Sequence, residues 1–371
     1  MCNFYCKKCN KTYHVDIIRL KCNCGGVLNL NFRPVFDLDK IKKRKPTMWR
    51  YREAIPVNSD KNIVSFDEGF TPLLEIYIDG YPVMIKQDQL FSSGSYKDRG
   101  ASVLISKMKE LGISSVVEDS SGNAGSAVAA YCAKGSIKCK IYVPEKTSPA
   151  KLIQIQNYGA RLIKVSGSRE DTANAAIKAL EDKNIREHYA SHIWNPFFLH
   201  GTKTFAFEVA EQLDWKAPDT VILPVGNGTI LLGAYIGFTE LHSAGIIKKI
   251  PKLVGIQAKN CAPVYHAFKN SQKSISLFPN KPTIAEGIAI AKPARKNEIL
   301  EAIQKTNGKI LSVSETEIKQ AHKTMDKKGY CIEPTSAATI AGIYKYLKTN
   351  PKNKTIVSIF TGHGLKHSEV F

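Results

Sequence analysis

From Val116 onward, short apolar runs alternate with longer stretches whose small and apolar residues recur at helical spacing. Val116-Val117 leads into Asn123 to Lys134, Cys139 to Val143 into Pro149 to Asn157, and Arg161 to Val165 into Glu170 to Glu181. The rhythm resumes with Thr220 to Pro224, Ile230 to Ala244, Lys252 to Gln257, Ala337 to Leu347 and Thr355 to Phe360. Strands joined through helices run parallel, with right-handed crossovers and helices on both sheet faces. The pattern therefore predicts an α/β chain with two open, mostly parallel units. Ligands of such sheets sit outside the carboxyl ends of the strands, which directs attention to the loops after Val117, Leu223 and Phe360.

The amino end follows another pattern. Cys6-x2-Cys9, a strand-like Thr12 to Val15, Cys22-x-Cys24 with Gly25-Gly26, and the alternating Val27 to Phe32 read as knuckles and a hairpin. Residues 33–60 hold Pro34, Pro46, Pro56 and the basic run Lys40 to Lys45, and read as a connector wrapping the next domain rather than a packed element.

The 371 residues allow two to three domains at about 150 residues each. With 43% hydrophobic and 23% charged residues, disorder and coiled coil are excluded. No window reaches the roughly 18 apolar residues of a membrane helix; even Thr229 to Phe238 is short and broken by Gly233 and Gly237. The first residues show no apolar core ahead of a small-residue cleavage site, so a cytoplasmic chain with no membrane partner is expected. Net charge is +20, from 53 Lys+Arg against 33 Asp+Glu. The lysines are spread out and interleaved with acids, without the arginine-aromatic pattern of a nucleic-acid groove. That charge implies a solvated basic surface, no nucleic-acid partner and a modest attraction for small anions.

Five of nine cysteines lie in the first 24 residues, and clustering in a reducing compartment favours a metal over disulfides. Cys6, Cys9, Cys22 and Cys24 can surround Zn2+ as a closed structural site, with Cys2 and His14 as spare ligands. The one-residue spacing of the second pair leaves open a cluster that no longer binds metal. Cys132 and Cys331 lie in apolar, helix-like contexts and read as core residues.

The three strand-end loops have unusual composition. Ser120-Ser121-Gly122-Asn123-Ala124-Gly125 offers hydroxyls and free N–H groups at a helix start, a ready anion site. Val225-Gly226-Asn227-Gly228-Thr229 has glycines that let amides approach a phosphate, but Leu231 stands where a dinucleotide fingerprint needs its third glycine. The third loop is Thr361-Gly362-His363-Gly364-Leu365-Lys366. Together they imply a phosphorylated cofactor and an anionic substrate. Ser93 to Gly100 then places Lys97 in the first turn of a helix, where the ammonium form is disfavoured and Schiff-base chemistry is favoured. Alone, Lys97 reads equally well as a surface lysine paired with Asp98. His188 and His192 are four apart, but Tyr189 stands where a zinc protease needs glutamate, and no nucleophile elbow occurs.

The ordered set, from Glu68-Gly69-Phe70-Thr71-Pro72-Leu73 to the Thr361 loop, resembles the fold-type II pyridoxal-phosphate enzymes (tryptophan synthase β-like), and among them the threonine synthases. Ser95-Tyr96-Lys97-Asp98-Arg99-Gly100 is similar to their S-F-K-D-R-G, with tyrosine for phenylalanine. The resemblance implies that Lys97 carries pyridoxal 5'-phosphate and that Asn123 touches its phenolic oxygen. It further implies that Ser120, Ser121 and Gly122 hold the substrate carboxylate, that Val225, Gly226, Asn227, Gly228 and Thr229 cradle the cofactor phosphate, and that Thr361 faces the pyridine nitrogen. Glu333-Pro334-Thr335 with Ser336-Ala337-Ala338, and Asn195-Pro196-Phe197-Phe198 with Gly201-Thr202-Lys203-Thr204, are similar to threonine synthases in particular. Arg161, Asn195 and Lys203 become candidates for the substrate phosphate. The cysteine module resembles the zinc ribbon ahead of some threonine synthases.

The implied layout is a zinc-ribbon-like module (1–32), a large cofactor domain (33–107 and 191–371) and a small α/β domain with the asparagine loop (108–190), assembled as a homodimer. The implied reaction converts O-phospho-L-homoserine and water to L-threonine and phosphate, a lyase step on a small phosphorylated amino acid. Two departures bear on the substrate: Ala124 stands where threonine is common, and an acidic G-x-[YF]-D-D stretch becomes Gly167-Ser168-Arg169-Glu170-Asp171, where Ser168 or Arg169 is the expected replacement donor. A cysteate-synthase-like or threonine-deaminase-like enzyme on a smaller amino acid, and a zinc-ribbon binding protein on a silent cofactor fold, are the alternatives.

Overall fold

The structure is a computed structural model that describes residues 2–15, 19–180, 187–270, 281–350 and 354–366. Strands β1 (Asn3–Cys6), β2 (Thr12–His14) and β3 (Leu28–Asn31) come first, then helix α1 (Leu38–Lys43) and the hairpin β4 (Leu73–Ile78) and β5 (Tyr81–Lys86). Next come α2 (Lys97–Glu110), β6 (Ser115–Glu118), α3 (Asn123–Gly135), β7 (Lys138–Pro144), α4 (Pro149–Asn157), β8 (Arg161–Val165), α5 (Arg169–Lys178), β9 (His188–Tyr189) and α6 (Pro196–Thr202). The rest is α7 (Thr204–Gln212), β10 (Thr220–Pro224), α8 (Thr229–Ser243), β11 (Lys252–Ala258), α9 (Pro263–Lys269), α10 (Lys296–Lys305), β12 (Lys309–Val313), α11 (Glu315–Lys327), α12 (Pro334–Leu347) and β13 (Ile356–Ile359).

The chain divides into two compact units, one of Met1–Glu68 with Lys97–Thr202 and one of Gly69–Tyr96 with Lys203–Phe371. This partition places residues 33–68, α2 and α6 with the small sheet, whereas the sequence expectation joined them to the large domain. The physical reason is packing: α2 lies against α3 and α6.

The first unit holds an antiparallel sheet in the order β2-β1-β3 and a parallel sheet in the order β8-β7-β6-β9. Val116, Val117, Ile141 and Val143 are fully buried, as strands covered on both faces require. The connector differs from expectation because it is packed. Asp37 caps α1, Ile41 is buried, and Met48, Trp49 and Tyr51 are buried in the 3-10 turn over Met48–Ala54. Trp49 Nε1 donates to Glu68 Oε1 at 3.1 Å and to Ser102 Oγ at 3.0 Å. The apolar residues set between its prolines outweigh the basic run. The second unit holds a six-stranded sheet, β12-β11-β10-β13-β5-β4, parallel except for β4.

Both strand orders contain a reversal. In the first unit β6, β7 and β8 step outward one way and β9 pairs on the other side of β6; in the second, β10, β11 and β12 step outward and β13 pairs on the other side of β10. Such switch points open a crevice at the carboxyl ends of the strands. The loop after β6 lies at one reversal, and the loops after β10 and β13 at the other.

Candidate active site

Lys97 opens α2 and is half-buried, its Nζ 5.7 Å from the ring centroid of Phe198. The candidate anion loop joins β6 to α3. Gly122 is the N-cap of α3 and no side chain caps that end, so its first amides point into the loop. A Cβ at Gly125 would run into the Ser120 carbonyl oxygen, so glycine is what lets the turn fold back on itself. Ser120 is buried, Ser121 and Asn123 are half-buried, and Gly122 is exposed. Ala124 is only 3% exposed.

A polar pair absent from the sequence reading lies beneath this loop. Glu118, the last residue of β6, and His192, just past β9, are 2.6 Å apart (Oε1 to Nδ1) and buried. Burial pushes the Glu118 carboxyl well above the usual range and His192 well below its own. The His192 ring lies edge-on to Phe198, centroids 5.9 Å apart. Tyr189, its phenol held protonated mainly by burial, donates to Asp119 Oδ1 at 2.7 Å. Glu118 is legible only as a charged residue closing an apolar strand, and His192 only as half of the pair that fails as a protease motif.

Other expected residues fall in several places. Asn195 Oδ1 accepts from Phe197 N at 3.1 Å and so caps α6, while its Nδ2 is 3.3 Å from His188 Nε2. It lines a cavity of about 270 Å³ that Arg19, His188 and Trp194 also line. Arg161, a candidate for the substrate phosphate, is exposed at the amino end of edge strand β8, the end away from the anion loop. Ser168 is engaged in a capping box with Asp171, so its hydroxyl is committed to α5. Arg169, the first residue of α5 past the carboxyl end of β8, is exposed, and its charge reaches Glu118 and His192. Cys132 is buried as expected, but Cys331 is exposed because α12 begins only at Pro334.

In the second unit the glycine loop enters α8, whose N-cap Gly228 adopts φ +79° with no side-chain cap. A Cβ at Gly228 would meet Ile299 Cδ1 at 2.5 Å. Val225, Gly226 and Thr229 are buried and Asn227 half-buried. The Thr229 hydroxyl shares a 2.8 Å hydrogen bond with that of Tyr96, the residue before Lys97. The amide of Tyr96 donates to Thr361 O at 3.0 Å. Thr361 is fully buried. Its hydroxyl donates to Glu333 Oε1 at 2.7 Å, its amide donates to Ser336 Oγ at 2.8 Å, and the two hydroxyls are 2.9 Å apart. Lys203 is fully buried with Nζ 2.8 Å from Glu240 Oε2, so its charge is already matched. Lys86 is buried likewise, against Glu208 at 2.8 Å and the Thr71 carbonyl at 2.6 Å.

The cysteine module brings four sulfurs together. Those of Cys6, Cys9, Cys22 and Cys24 all lie within 4.8 Å of one another; Cys2 and His14 are outside this cluster. Cys6 and Cys24 sulfurs are 3.6 Å apart, and Cys9 and Cys22 sulfurs 3.4 Å. A tetrahedron with Zn–S bonds of about 2.3 Å has edges of about 3.8 Å, so the donor set fits a closed zinc site. The Tyr13 hydroxyl, 3.0 Å from Cys22 Sγ, brings that thiol down to about 6.

The pyridoxal-phosphate dependent enzyme family model matches residues 64–362. A threonine synthase of Methanocaldococcus jannaschii is 39% identical, the match covering 97% of this chain and 92% of that protein. One of Methanosarcina acetivorans is 34% identical, covering 99% and 92%. Maize serine racemase superposes with a TM-score of 0.70 at 20% identity, over 81% of this chain and 90% of that one, a likeness of fold. The chain therefore belongs to the pyridoxal-phosphate-dependent enzymes and, within them, to the threonine synthases.

Proposed function

We propose that the chain converts O-phospho-L-homoserine and water to L-threonine and phosphate, with pyridoxal 5'-phosphate held on Lys97. The observation that carries this reading is the coincidence of the family's loops with the switch points of both sheets. When bound, the cofactor supplies an electron sink for charge developed at substrate carbons. The α8 end fits its phosphate: no side chain caps the amides, and Gly228 turns the chain into the helix at φ +79°. Val225 to Thr229 bind that phosphate, and Asn123 bonds the phenolic oxygen.

Lys97 Nζ takes and returns the protons that move at Cα and Cβ of the substrate. The amides and hydroxyls of Ser120, Ser121 and Gly122 grip the substrate carboxylate at the α3 end. Thr361, its proton committed to Glu333, offers the ring nitrogen a neutral oxygen rather than a carboxylate. For the substrate phosphate, Arg169 is the best placed cation, Asn195 offers Nδ2, and Lys203 contributes by fixing α7. Zn2+ on Cys6, Cys9, Cys22 and Cys24 is structural, since four thiolates leave no open position. A reducing cytoplasm keeps those thiols available, and the enzyme works as a homodimer, so gel filtration should read about twice 41.1 kDa.

The deciding assay is phosphate release from O-phosphohomoserine, with O-phosphoserine and threonine as controls. Borohydride should fix the cofactor onto Lys97 in a mapped peptide, and Lys97→Ala should abolish that adduct. Turnover of only the control substrates would replace this reading with the smaller-substrate alternative.

A further inference from the structure

Glu118 and His192 meet across the switch point of the first unit's parallel sheet, one at the end of β6 and the other just past β9. Their side chains are 0% and 4% exposed. Glu118 Oε2 is also buried and has no hydrogen-bond partner among the described residues. A carboxylate in that position would leave a charged oxygen both desolvated and unpaired, which is strongly unfavourable. A carboxylic acid fits better, because its O–H satisfies His192 Nδ1 and its remaining oxygen is a weak, neutral acceptor. Asp119 and Cys139 on β7 oppose further negative charge on the pair, and the neutral phenol of Tyr189 on β9 donates to Asp119. Lys97 on α2 and Arg169 on α5 favour that charge, and burial outweighs them.

We propose that Glu118 is a neutral carboxylic acid donating its O–H to His192 Nδ1, and that this uncharged pair is a positioning element for Phe198, the ring beneath Lys97 Nζ. The connection is short: the ring lying edge-on to His192 is Phe198, the same ring beneath Lys97 Nζ. The hydrogen bond from the acid fixes the His192 ring, and the edge contact of that ring fixes Phe198. The proton stays within the Glu118–His192 pair, and the inference rests on Lys97 as the cofactor lysine. As pH rises far enough to ionise Glu118, the pair gains a buried, unpaired charge, the positioning is lost and turnover falls.

The test uses the holoenzyme. At neutral pH the infrared spectrum should show a protonated-carboxyl C=O band that is missing from Glu118→Gln. The amide of Glu118→Gln donates to His192 in the same geometry, so kcat/KM should stay within about threefold, while Glu118→Ala should lose about tenfold or more. The alkaline fall in kcat/KM should also move to higher pH in Glu118→Gln. If the band is unchanged by the substitution, or if Glu118→Gln is as impaired as Glu118→Ala, the pair is ionised or merely structural and the proposal fails. If Glu118→Ala does not fold, the band and the Glu118→Gln pH profile decide. Borohydride trapping separates the two readings: a cofactor bound elsewhere overturns the role of Lys97, while the carboxyl band still reports the state of the pair.

Discussion

At the scale of single residues, the substrate question narrows to Ala124 and Arg169. Ala124 is buried, so a threonine there would add atoms to a filled helix face at a cost of about 1–3 kcal/mol. The missing donor is better supplied by Arg169, exposed at the start of α5. Removing a charged donor to a phosphate costs about 1.5–3 kcal/mol. Arg169→Ala should therefore raise KM for O-phosphohomoserine at least about tenfold and leave an unphosphorylated analogue almost untouched. Equal effects on both would remove Arg169 from the phosphate site. His188 gives a second expectation, since burial pushes it from 6.5 down to about 4. The folded chain then refuses a proton that the unfolded chain takes below 6.5, so this contribution is full above 6.5 and fades as pH falls toward 4. About 2 kcal/mol should be lost between pH 7.5 and 5, as read from urea unfolding. His188→Gln should remove that part of the slope, while His192, also kept neutral by burial, leaves a parallel fall in both proteins.

At the scale of elements, the amino-terminal sheet is small and leans on one helix, and the proposed zinc site would add a second support. Phe4 packs edge-on to Phe197 at 5.9 Å, and Phe32 to His200 at 5.8 Å, both partners belonging to α6. Three short strands reach stability only with a hydrophobic face or packing on a helix, and four thiolates around zinc would add to that packing. Metal analysis of protein prepared without chelator should give one zinc per chain. A strong chelator should erase amide protection across β1, β2 and β3 while α2 and α3 keep theirs. Retained protection in β1–β3 after the metal is gone would show that packing on α6 suffices. The same reasoning explains why the connector is hard to read: its basic run and prolines look solvated, and only the tertiary partners of Ile41, Trp49 and Arg50 reveal a packed segment.

At the scale of the whole molecule, legibility follows the distance along the chain over which a feature is specified. Strands β8 and β10 and helix α4 are legible to the residue, because an apolar run bounded by turn residues, or a proline at a helix start, is local information. The two-residue β9 carries only His188 and Tyr189, too few for a periodic signal, and the hairpin β4–β5 lies ahead of the strand-helix rhythm that starts at Val116. The anion loop and the glycine loop are legible for the same local reason. The Glu118–His192 pair is not, since its members are 74 residues apart and only the switch in strand order joins them. Net charge is global too, and it makes a separate expectation. An excess of +20 spread over the surface attracts a substrate bearing both phosphate and carboxylate, but the attraction is screened beyond about 8 Å at physiological salt. Raising ionic strength should therefore lower kcat/KM for O-phosphohomoserine several-fold and leave kcat nearly constant, because encounter is affected and chemistry is not. An unphosphorylated amino acid, with almost no net charge, should show a much flatter dependence. If the two salt dependences run in parallel, the basic surface serves only solvation, and phosphate recognition is confined to contacts such as that of Arg169.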